Sequence, residues 1–293
     1  MKRILWFILS TFIFTLWFLF IRSYFFWWDE LEHIHYIEET YIDAREEEED
    51  FEQWYINQVD LETLKEKQEA IKKKLKAKFS QQTIIEFHYF PWGFKNKVSA
   101  YRDTLKNFLE SDPMKSKIRT LNIHMNEKLF DVRWKMKNRV LHFFWVLWME
   151  QGEFLSVWIH EFAHYVDLYF LKKSVLRDIS DYFYSISWDS AKVMKSWGIQ
   201  KHFVSGYAMT NKYEDFAESF TYYILHNDDF LEKSQESEVL REKYDFFTKN
   251  LFKQNEFIWT DFSSNEKVEN YYWDITKIEF HLQKLLIFLE KGI

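Results

Sequence analysis

Residues 156–171 read SVWIHEFAHYVDLYFL and place His160, Glu161 and His164 in the order H-E-x-x-H. Val157, Ile159, Phe162, Ala163, Val166 and Leu168 surround them without a Gly or Pro, which predicts a buried helix. On a helix, residues four apart stand one turn above each other. His160 and His164 therefore point the same way and can hold one zinc ion through two imidazoles. Glu161 sits one step round, where a carboxylate can take a proton from metal-activated water. As mere core residues, two imidazoles and a carboxylate would each need a polar partner to offset their burial.

A catalytic zinc helix needs a third protein ligand and an open fourth position. A histidine six residues beyond His164, after a Gly, is one arrangement, but Asp167 and Phe170 occupy those positions. A glutamate from a downstream helix is the other. Residues 206–226 read GYAMTNKYEDFAESFTYYILH, with Glu214 and Glu218 four apart and so on one helix face. Phe216, Phe220, Tyr223 and Ile224 supply the buried side, and Thr210 or Asn211 can cap the start. Glu214 is the expected third ligand. Glu218 is expected to accept the N–H of a ligating His, and Asp167, one turn after His164, can do similar work.

The segments IHEFAHYVDLY and GYAMTNKYEDFAESF resemble the catalytic core of the anthrax lethal factor-like zinc metallopeptidases, a gluzincin-type family with a glutamate third ligand. The resemblance covers about 70 residues, from 156 to 226. It implies a helix-rich, zincin-like α+β fold, one Zn²⁺, and a protein or peptide substrate. It aligns Glu214 with the third ligand, Glu218 with the supporting acid and Tyr207 with a tyrosine that assists catalysis. The chain departs at Ala163, where a Gly is common, and slightly in the spacing from His164 to Glu214. Zinc would lower the pKa of bound water toward ~7, with Glu161 as general base and the Tyr207 hydroxyl facing the developing oxyanion. The alternative function is a membrane-tethered zinc domain that binds a partner and cuts nothing.

The elements that must position these residues are short. Strand and turn signals mark 84–94 and 118–125, and 129–135 with 139–148 forms a candidate hairpin whose second arm suits a strand covered on both faces. Helical patterns cover 97–111, stopped at Asp112-Pro113, then 212–226, 237–252 and 274–290. His88, His124 and His142 fall on different strands and read as unrelated single histidines. Aromatics make up 21% of the chain, against 5 Gly and 2 Pro, so the body is well packed with modest loops. A net charge of −7 disfavours a nucleic-acid partner, and the absence of Cys excludes disulfides and thiolate zinc sites.

Lys2 and Arg3 precede an uncharged run over 4–21, whose 18 residues at about 1.5 Å rise approach the thickness of a bilayer core. Trp27 and Trp28 supply an interfacial belt, and Asp29, Glu30 and Glu32 follow. The pattern predicts a single-pass anchor over 1–28 with the N-terminus in the cytoplasm and the catalytic part outside the cell membrane. A cleaved signal peptide and a secreted product is the alternative. A charged helical stalk over 29–80 and a catalytic domain over 81–293 complete the expected organisation.

Overall fold

The computed structural model describes residues 84–291, apart from 90–94, 119, 126–133, 138–139, 145–148, 175–176, 253–255 and 263–270. The expected anchor and stalk lie outside the described residues. Among the described residues no helix is long and apolar enough to cross a membrane.

The chain is helix-rich α+β with small sheets. β1 (Ile84–Tyr89) leads through α1 (Lys95–Glu110) and the short α2 (Asp112–Lys115) to β2 (Thr120–Met125). β3 (Trp134–Lys137) and β4 (Val140–Phe143) form the hairpin read from the sequence. The sheet order is β1-β2-β4-β3, parallel except for the edge strand β3, which runs antiparallel to β4. Alternation sets one face of this sheet inward: Leu121, Ile123, Met125, Leu141 and Phe143 are buried. β4 is thus not covered on both faces, because Val140 and His142 on its other face are only half-buried.

Beneath the sheet runs α3 (Gln151–Tyr165), continued by a π-helical segment over Val166–Leu171. Every residue from Phe154 to Tyr165 is buried, as the continuous apolar pattern requires. Phe154 packs on Phe143 of the sheet, and the Tyr165 hydroxyl donates to the Thr120 carbonyl at 2.8 Å. Two small hairpins flank α4 (Ser180–Ser187): β5 (Lys172–Ser174) with β6 (Arg177–Asp178), and β7 (Trp188–Ser190) with β8 (Val193–Met194). α5 (Lys212–Leu225) packs against α3, followed by α6 (Asn227–Glu236), α7 (Glu238–Asn250) and α8 (Leu282–Lys291).

Aromatic rings fill the space between these helices. Trp158 contacts Phe108 and Phe162, while Phe183, Phe216 and Phe247 join α4, α5 and α7. Such pairs add about 0.5–1.5 kcal/mol each beyond their buried area, so the aromatic composition is spent on one connected core.

Two boundaries and two helices differ from the sequence reading. Pro113 does not merely stop α1 but opens α2, where its missing N–H is harmless. The helix expected over 274–290 is a 3-10 turn at Ile275–Lys277, capped by Asp274, and only then α8. The break falls where the His281 amide bonds instead to the Phe262 carbonyl at 2.6 Å. α4 and α6 were not anticipated. α6 carries an acidic first turn with Asp228 and Asp229, a start signal that was legible.

Candidate metal centre

α3 presents His160 and His164 on one face, their ring centroids 5.1 Å apart. α5 delivers the acid. Its N-cap is Asn211, whose side chain accepts the amides of Tyr213 at 2.9 Å and Glu214 at 3.0 Å. This cap fixes the first turn of α5 and so the height at which Glu214 emerges. Glu214 Oε2 lies 3.0 Å from His160 Nε2 and 3.5 Å from His164 Nε2. One donor atom from each of the three residues lies within 4.8 Å of the others, and all three residues are buried. Among the described residues this is the one group of three such side chains so arranged.

Glu218, one turn further along α5, meets the other side of His160: Oε1 is 2.9 Å from Nδ1. Its second oxygen accepts the Ser205 hydroxyl at 2.5 Å and the Ile275 amide at 2.9 Å. With Nδ1–H donated to Glu218, Nε2 of His160 faces the point shared with His164 and Glu214, 3.0 Å from Glu214 Oε2. Asp167 is fully buried and accepts a hydrogen bond from the Tyr184 hydroxyl. Tyr207 begins a 3-10 turn, and its ring lies stacked beside His160 at 6.0 Å between centroids.

The electrostatics are those of a crowded, buried acid cluster. Burial pushes Glu161 well above the usual carboxylate range; the neighbouring His160 opposes this, and Glu214, Asp274 and Glu218 add to it. Burial would also raise Glu214, but His164 and His160 outweigh it and hold it at about 2. Burial alone would depress His160, yet its bonds to Glu214 and Glu218 lift it well above its ordinary value. No protein-family model, curated protein or solved structure matches the chain. The functional reading therefore rests on the chemistry of this site.

Does the site fit a metal ion? Glu161 Oε2 and Glu214 Oε1 are buried with no hydrogen-bond partner among the described residues. Unpaired carboxylate oxygens at such depth are costly, and a divalent cation between them and the imidazoles removes that cost. Two imidazoles and one carboxylate are a donor set that zinc accepts. The residues fit the group.

The structure brings His160, His164 and Glu214 together, sets Glu218 behind His160, and adds others. Ser205, Asp274 and the Ile275 amide were not foreseen. The segment 272–275 runs against 206–207, with Gly206 N–H donating to the Tyr272 carbonyl at 3.0 Å and Tyr207 N–H to the Trp273 carbonyl at 2.6 Å. A Cβ on Gly206 would stand 2.4 Å from the Trp273 ring, so glycine is needed there for the close approach. The Asp-x-Thr cap at Asp274 was a readable turn signal, but nothing local links it to a helix 56 residues upstream.

Removing the cap tests how the first turn of α5 is held. Asn211→Ala is expected to lower stability by about 1 kcal/mol and to weaken metal binding, read by thermal denaturation and chelator competition. Unchanged values in both would show that packing alone sets Glu214.

Proposed function

We propose that the chain is a zinc metalloendopeptidase of zincin type, held at the cell membrane by residues 1–28 and acting on protein or peptide substrates outside the cytoplasm. The observation that carries this reading is the closure of His160, His164 and Glu214 on one point beside the buried carboxylate of Glu161. A zinc ion held by His160, His164 and Glu214 would supply Lewis-acid polarisation of the peptide carbonyl and of the attacking water.

The chain's own residues then have separable tasks. Glu161 accepts the water proton and returns it to the leaving amine. The Tyr207 hydroxyl donates to the oxyanion that develops on the substrate carbonyl. Glu218 fixes the tautomer and tilt of His160, itself held by Ser205 and the Ile275 amide. Asp167, tied to Tyr184, supports the turn after His164. β3, at the edge of the sheet, offers backbone donors and acceptors to an extended substrate by strand addition.

The deciding experiment measures metal content and digests a peptide library with the same full-length preparation. One tightly held zinc and cleavage that stops on chelation and returns with zinc are expected. Bound zinc with an intact library would leave the non-cleaving binding domain, and no bound metal would remove both readings.

A further inference from the structure

The three histidines that the sequence scatters over β1, β2 and β4 stand in one row. His88 is in register with His124, and His124 with His142. Their ring centroids lie 4.6 Å apart with planes at 63° in the first pair, and 4.7 Å apart at 78° in the second. The row is on the face of the sheet opposite the core, where Ile123 and Leu141 point the other way. The chain has 10 His in 293 residues, so chance alone puts a His at both cross-strand neighbours of a third about once in a thousand.

Among the described residues the row lies outside the main hydrophobic core, with His142 stacked on Phe144, and protonating one imidazole opposes protonation of the next. What the spacing does suit is a shared cation. Two imidazoles bound to one metal at about 2.1 Å, with roughly 1.1 Å from nitrogen to ring centre, have centroids roughly 4.5–5.2 Å apart for bond angles from 90° to tetrahedral. His160 and His164 show 5.1 Å and 79°, and the two pairs of the row fall in the same range of distance and tilt. Burial, and then His88, hold His124 below its ordinary pKa, so its ring is neutral and able to donate a lone pair near neutral pH. Glu86 lies two residues before His88 on the same strand, its Oε2 3.5 Å from His88 Nε2, and offers a carboxylate beside the first pair.

We propose that this row is a second site for a divalent transition-metal ion, bound by His124 together with His88 or His142. Among the described residues three donor atoms do not converge here as they do at His160, His164 and Glu214, so two imidazoles and water hold the ion. The site is accordingly weaker and more exchangeable than the buried one, and takes Cu²⁺ or Ni²⁺ ahead of ions that prefer oxygen ligands. Its existence is independent of whether the buried centre cuts peptides.

Titrating the metal-free full-length chain with Zn²⁺ by calorimetry should give two classes of binding. His124→Asn should weaken the looser class at least tenfold and leave the tighter one unchanged, and Cu²⁺ bound in the looser class should show nitrogen couplings in its electron spin resonance spectrum. His124→Gln, checked by circular dichroism, serves if the Asn variant folds poorly. A single class in the unmodified chain, or a looser class that survives at full strength in either variant, would overturn the proposal. The tighter class is read separately, so the two sites are judged apart.

Discussion

Glu161→Gln is expected to leave one zinc bound and to cut peptide hydrolysis by about 10²–10⁴-fold, the usual contribution of a positioned general base. Gln has nearly the shape of Glu, and the three residues that close on the metal point are untouched. What it lacks is a site for the proton. Glu161 is only 1% exposed, and its Oε2 has no hydrogen-bond partner among the described residues, so that oxygen is not occupied in holding the fold together. Its burial among other acids also makes the charged form unfavourable in the chain alone. A neutral amide stands close to that uncharged acid in shape and charge, so the variant should melt near the parent. Initial rates on a peptide substrate, together with metal content, check both halves. Full turnover in the variant would remove the enzymatic reading altogether.

The largest expected effect on stability lies behind the metal centre. Lys243 on α7 and Asp215 on α5 are both completely buried, with Nζ 2.8 and 2.7 Å from the two carboxylate oxygens. Nζ also donates to the His202 carbonyl at 3.0 Å, and Asp215 accepts the Trp188 indole N–H at 2.9 Å. Burial pushes Asp215 up and Lys243 down, and each group offsets the other's shift. The pair holds its charges because every donor and acceptor direction is used. Lys243→Met leaves the carboxylate of Asp215 alone in the core and should cost about 3–5 kcal/mol, read from urea denaturation. Adding Asp215→Asn should recover much of that loss, since the unpaired charge is gone. A Lys243→Met variant within about 1 kcal/mol of the parent would show that the pair is not needed. Because Asp215 follows Glu214 directly, and His202 leads into Ser205 and Tyr207, metal affinity should fall with stability.

Local pattern carried much of this architecture. The buried helix, the hairpin, and the helices bearing Glu214 and the residues after 237 follow from periodicity, because apolar spacing is a property of a few consecutive residues. The cap on α5 was narrowed to Thr210 or Asn211, and the backbone chose Asn211, whose extended conformation lets the side chain reach two amides. The end of the chain was read as too long a helix. Its pattern is amphipathic throughout, yet Asp274 takes the local amide of Thr276 and a distant carbonyl takes that of His281.

By itself the sequence determined the chemistry on offer. Histidines four apart with a glutamate between them, and two glutamates four apart downstream, share faces because helical geometry obliges them to. Tertiary structure alone decided that these two faces meet, that Ser205 and the Ile275 amide grip the acid behind His160, that Lys243 seals Asp215, and that His88, His124 and His142 form one row. Those contacts join residues tens of positions apart, and the packing of whole helices and strands, not the spacing along the chain, sets their distances.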